Sequence, residues 1–125
     1  MKRPAQLRAL DLCREYEQLS VSIVDYTKQI GNCLAQCMIS VNATDLTPCN
    51  KKGFVMTHLA QAFEPFLSDD EYYPELQWND EAVIAEILSG CPHCQQAYAH
   101  IQARKAAKKR LGAVKRSIRA IGRSN

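Results

Sequence analysis

The sequence predicts an all-α fold, a long antiparallel helical hairpin of coiled-coil type with two short helices near a cysteine cluster. Three observations carry that expectation. Apolar residues near the N-terminus recur at alternating spacings of four and three, a second long amphipathic pattern occupies the C-terminal end, and cysteines fall where antiparallel pairing of the two would gather them at one end. At 125 residues the chain is long enough for one domain with a modest core, so 1–125 is read as a single helical domain.

The first helix is expected over about 5–38. Pro4 suits a first-turn position, where a missing N–H costs nothing. The apolar frame then runs Ala5, Ala9, Leu12, Tyr16, Leu19, Ile23, Tyr26, Ile30, Cys33 and Cys37, a heptad seam from which Glu15, Glu17, Asp25 and Lys28 stand aside. Residues 39–53 read as a loop, because Asn42, Thr44-Asp45, Thr47-Pro48, Asn50 and Gly53 crowd it with turn signals. A short helix is expected over about 54–66, with Val55, Leu59, Ala62, Phe63 and Phe66 on one face. After the acidic, aromatic connection 68–81, a second short helix, 81–88, is capped by Asn79 or Asp80 and ended by Ser89-Gly90. The last helix spans about 92–121, with Gly122 as its stop. Its Leu111, Val114, Ile118 and Ile121 share one arc with small Ala103 and Ala107. No strand is expected.

Cysteine placement points to a metal. Cys91-Pro92-His93-Cys94 offers two thiols from one tight turn at the mouth of a helix, where free N–H groups favour thiolate. Cys33 and Cys37 would supply the other pair from the partner helix, completing a tetrahedral set for zinc. His58, His93, His100 or Cys49 could replace one ligand. The plainer alternative makes Cys33 and Cys37 ordinary seam residues and the Cys-x-x-Cys incidental. Cys13 is expected to be a small buried or boundary residue. The N-terminal Met1-Lys2-Arg3-Pro4 runs into charged residues instead of an apolar stretch, so no secretory signal, a cytoplasmic location and free or metal-bound thiols are expected.

Charge is strongly segregated. Residues 1–94 carry 7 Lys+Arg against 13 Asp+Glu, whereas 95–125 carry 9 Lys+Arg and no acid. On the last helix Arg104, Lys105, Lys108, Lys109, Lys115, Arg116, Arg119 and Arg123 lie opposite the apolar arc, and Arg110 alone falls outside that group. A one-sign face of this size fits a polyanion, nucleic acid above all. The alternatives are a solvated face and an acidic protein surface. No apolar run reaches the ~20 residues of a membrane span. Tyr72, Tyr73 and Trp78 in the acidic connection are interface types, though such residues more commonly fold back over a core.

Nothing in the chain resembles a catalytic set: there is no nucleophile elbow, phosphate-binding glycine loop or His-Glu-x-x-His. Cys91-Pro92-His93-Cys94 does resemble the active-site motif of DsbA-type thiol oxidases, which would make Cys91 a nucleophile. The match covers four residues without the βαβ context that chemistry uses. The C-terminal stretch, from Cys91-Pro92-His93-Cys94 through Ile101-Gln102-Ala103-Arg104-Lys105-Ala106-Ala107 and Arg110-Leu111-Gly112-Ala113 to Ile121-Gly122-Arg123, is similar to that of small accessory proteins of bacteriophages and prophages. That resemblance implies action on nucleic acid or on a host defence or replication component. The expected function is therefore a non-enzymatic, zinc-stapled binding protein that contacts nucleic acid through its basic helix. The rivals are a phage-encoded protein-interaction inhibitor of a host defence or nucleic-acid-processing complex and, behind it, a thiol-disulfide oxidoreductase. A homodimer through the first helix is the alternative to the intramolecular hairpin.

Overall fold

Helix α1 (Ala5–Gln36) opens a computed structural model that describes residues 4–123, so Met1, Lys2 and Arg3 of the basic N-terminus lie outside the described residues. It is followed by α2 (Met38–Val41), α3 (His58–Phe63), the strands β1 (Phe66–Leu67) and β2 (Leu76–Gln77), α4 (Glu81–Leu88) and α5 (Pro92–Arg123). The all-α hairpin expected from the sequence is what the chain forms. It divides into two compact units, 1–29 with 100–125 and 30–99, and both long helices contribute to each.

In the first unit α1 and α5 run antiparallel, since partner numbers on α5 fall as those on α1 rise. Glu15 is held bidentately by Arg110, with Nη2 3.0 Å from Oε2, and Lys115 Nζ lies 5.8 Å from the Tyr16 ring centroid. Further along, the Tyr26 and His100 rings stand 6.1 Å apart and Arg104 Nη1 donates to Thr27 Oγ1 at 3.2 Å. The heptad seam faces this pairing: Ala5, Ala9, Leu12, Leu19, Ile23 and Tyr26 are all half-buried, while Val114 of α5 is fully buried. Gly122 lies inside α5 and does not stop it before Arg123.

The second unit departs from expectation at three places, each with a local cause. The first helix does not run through to 38. Cys37 leaves the helix (φ −56°, ψ 134°), its N–H bonding back to Leu34, and α2 restarts at Met38. The 54–66 helix shrinks to His58–Phe63. At its start Thr57 caps the helix, its hydroxyl accepting from Ala60 N–H at 3.2 Å, and Val55 is drawn into an antiparallel bridge with Cys49. At its end Glu64 precedes Pro65, which pushes it to extended backbone (ψ 125°). Phe54 and Phe66 are consequently exposed, and only Leu59 and Ala62 of that face are buried. The third departure is a two-residue antiparallel ladder, Phe66 opposite Gln77 and Leu67 opposite Leu76, where no strand was expected. Asp70 Oδ1 accepts the N–H groups of Tyr72 and Tyr73 and shapes the intervening loop. The aromatics do not fold back: Tyr72, Tyr73 and Trp78 are 83%, 80% and 62% exposed.

Helix α4 fits its expected bounds, capped by Asp80, whose Oδ1 accepts from Val83 N–H at 2.9 Å. It packs against α3, and Asn79 Nδ2 donates to the Ala62 carbonyl at 3.0 Å. Among the described residues no helix is long and apolar enough to cross a membrane.

Val114→Ala removes two methyl groups from the one side chain of the first unit that is fully buried among the described residues. It should cost about 2 kcal/mol, read as a shift in urea midpoint, whereas truncating the exposed Val41 should be nearly neutral.

Candidate metal centre

Cys37, His58, Cys91 and Cys94 converge within 30–99, and their ligand atoms all lie within 4.8 Å of one another. Each is placed by a helix end. The extended backbone of Cys37 sets its sulfur 3.3 Å from His58 Nδ1. His58 is the first residue of α3, oriented by the Thr57 cap. Cys91 sits at the cap of α5, where its carbonyl accepts from Gln95 N–H at 3.0 Å and its sulfur accepts from Cys94 N–H at 3.5 Å. A thiol thus fills the acceptor role that Ser or Asp usually plays, and Pro92 takes the first helical position. The Leu88 carbonyl at the end of α4 receives both Cys91 N–H and Gln95 Nε2, anchoring this turn.

Cys37 and Cys94 are fully buried, Cys91 is 4% exposed and His58 is half-buried. Burial pushes the Cys37 thiol up, but bonds from the His58 backbone and ring, the Ile39 N–H and the Cys94 thiol together outweigh it and hold Cys37 at about 6. Cys94 goes the other way. Burial raises it most, the Leu59 N–H opposes, and the Cys91 and Cys37 sulfurs add to the rise, leaving it at about 12. Two sulfurs in one pocket thus divide into a thiolate and a thiol, as neighbouring groups that repel in the charged form must. A tetrahedral ion with metal–sulfur bonds of about 2.3 Å needs sulfurs about 3.8 Å apart. The spacing here meets that demand with small side-chain shifts, so the four residues could bind a metal ion.

Three of the four expected ligands are brought together. Cys33 is not among them: buried on α1 one turn earlier, its thiol points to Gln96 Oε1 at 3.9 Å. The cause is the helix break, because once the backbone turns extended at Cys37, residues 33 and 37 no longer present their sulfurs from one helical face. His58 takes the fourth place. His100 is occupied by the Tyr26 ring. Cys49 is exposed with its thiol 3.6 Å from the Thr47 carbonyl, and neither Cys49, His93 nor His100 belongs to the cluster. Cys13 is exposed on α1, not buried. The sequence offered His58 as one of four possible replacement ligands, with nothing to separate it from His93, His100 or Cys49.

The basic face lies in the other unit. Lys105, Lys108, Lys109, Lys115, Arg116, Arg119 and Arg123 are exposed, and Arg104 is half-buried against Thr27. Helix α5 carries no carboxylate, and its off-face Arg110 is engaged by Glu15 of α1.

In metal-free protein the depressed Cys37 thiol makes a stabilising contribution that is fully present above about pH 9 and lost as pH falls through about 6. The raised Cys94 thiol acts oppositely, its contribution disappearing only as pH rises from 9 towards 12. Urea unfolding should therefore show stability climbing between pH 6 and 9 in the metal-free chain, and Cys37→Ser should flatten that climb. The chemistry of these four residues has to be read from the site itself, for no protein-family model, curated protein or solved structure matches this chain.

Proposed function

We propose that this protein is a non-enzymatic, zinc-stapled helical binding protein whose basic last helix contacts nucleic acid. The observation that carries the staple is the convergence of Cys37, His58, Cys91 and Cys94 within 4.8 Å. Three sulfurs and an imidazole suit a borderline-soft ion such as zinc. Four protein ligands leave no open coordination position, which is the arrangement of a structural site and not a catalytic one. The N–H groups of His58, Ile39, Leu59 and Cys94 directed at these sulfurs support thiolates in the same way that outer-shell donors support metal-bound cysteines. Binding would displace the Cys94 proton, so uptake should release protons and tighten as pH rises.

Supporting the nucleic-acid reading are seven exposed cations on a helix without a single acid. Such a face neutralises backbone phosphates and gives affinity that falls steeply with salt and depends little on sequence. A second reading draws on the exposed Tyr72, Tyr73 and Trp78 beside Asp69, Asp70 and Glu71. These would make the protein an interaction module, an inhibitor of a host complex in keeping with its resemblance to phage accessory proteins.

Protein purified without added metal should contain one zinc per chain. Cys94→Ser and His58→Ala should lose it together with helicity, while Cys33→Ser should keep it. Six free thiols and no metal would overturn the staple. Reversing Lys105, Lys109, Arg116 and Arg119 to Glu should abolish binding to duplex and single-stranded probes with the helical spectrum unchanged. If no probe binds the unaltered protein at low salt, and Trp78→Ala with Tyr73→Ala abolishes capture of a host protein, the second reading replaces the first.

A further inference from the structure

Helix α1 carries a second seam that α5 does not cover. On the face roughly 150° round the helix from the first seam, at 100° per residue, lie Leu7, Leu10, Arg14, Glu17, Val21 and Val24. Their spacings again alternate as three and four. Leu7, Leu10, Val21 and Val24 are 43%, 46%, 60% and 57% exposed, and Arg14 and Glu17 between them are also exposed and make no ion pair among the described residues. All six residues belong to the unit 1–29 with 100–125. A solvated helix face has no use for four large aliphatic residues at heptad spacing.

The order of residues along this face identifies what covers it. Run antiparallel against itself, the seam forms six layers with a two-fold axis between Arg14 and Glu17. Leu7 meets Val24 of the second copy, Leu10 meets Val21, and Arg14 meets Glu17, after which each layer repeats in reverse. The central layers are then opposite charges and the four outer layers are aliphatic pairs. The flanking positions raise no conflict, with Asp11 falling nearest Gln18 and Cys13 nearest Ser20 of the other copy. Parallel pairing in register fails, because it sets Arg14 on Arg14 and Glu17 on Glu17. A lipid surface fails too, since it would leave Glu17 in the apolar layer without a partner.

The geometry points to a two-fold antiparallel homodimer formed through the Leu7–Val24 face of α1, with reciprocal Arg14–Glu17 pairs fixing its direction and register. The interface spans about 25 Å of helix and leaves the α5-facing seam untouched. Buried polar pairs at core positions are a known means of specifying register in coiled coils. This association depends on neither the metal nor the nucleic-acid reading.

Sedimentation equilibrium of the full-length chain tests it. The unaltered protein should show a reversible monomer–dimer equilibrium. Arg14→Glu alone and Glu17→Arg alone should each weaken self-association at least ten-fold, because each places like charges in both central layers. An equimolar mixture of the two variants should recover dimer as a heterodimer, and the double variant R14E/E17R should recover it as a homodimer. Circular dichroism of each variant separates lost association from lost fold, and Val21→Ala should weaken the dimer without touching charge. A chain that stays monomeric up to millimolar concentration, single variants that dimerise as well as the parent, or a mixture that shows no rescue would each overturn the assignment.

Discussion

Taking three sulfurs and an imidazole out of water is the constraint around which the 30–99 unit is organised. Its buried apolar side chains are few: Ile30, Leu59, Ala62, Ile84, Leu88 and Ala97, beside four buried cysteines. Helices of six and eight residues have no stability of their own at that length, because nucleation fixes several residues for each early hydrogen bond. What holds them is attachment. The end of α1 and the start of α3 each bring one side chain to a single point, the start of α5 brings two, and α4 is tied in through the Leu88 carbonyl. Local features that look like defects in a helical pattern, the break at Cys37 and the early cap at Thr57, are what aim those side chains inward.

The other unit follows different physics. Among the described residues it has one fully buried side chain, and half-buried aliphatics make up the rest of the interface between α1 and α5. Polar clasps at the edges set the pairing: Glu15 with Arg110, Thr27 with Arg104, and Lys115 over Tyr16. Exposed polar contacts of this kind, of which Glu15–Arg110 is the ion pair, contribute little energy each, so their part is in direction and register more than in stability. Charge is divided along the same line. Residues 30–99 carry 2 Lys+Arg and 9 Asp+Glu, and the remainder carry 14 and 4. A polyanion would therefore meet a strongly positive field from the hairpin unit, undiluted by acids on α5.

The long helices, their antiparallel pairing, the Asp80-capped α4 and the basic face of α5 were all legible in the residues. Their signals are local: a 3–4 apolar period, a capping side chain, a run of one sign. Cys91 and Cys94 were legible for the same reason, since Cys-x-x-Cys at a helix start is a short-range pattern, whereas the spacing of four that paired Cys33 with Cys37 assumed a helix that breaks at Cys37. Helix α1 nonetheless shows the limit of periodicity. A heptad repeat can be read in more than one phase, and the phase running through Ala9 and Leu12 hides the one running through Leu10 and Val21 until burial shows which of them α5 covers.

Tertiary structure alone decided the fourth member of the cluster that could bind a metal ion. Cys33 and His58 were both eligible by residue type, and the choice turned on a backbone dihedral at Cys37 and a turn twenty residues downstream, neither of which a spacing rule contains. Tertiary structure also kept Tyr72, Tyr73 and Trp78 in solvent, although residues of this kind more commonly fold back over a core. The sequence by itself determined which segments are helical and which faces are apolar or cationic, because these depend on neighbours within one or two turns. Which side chains from distant segments share a point depends on where helices stop and how the chain re-enters them, and only the folded chain decides that.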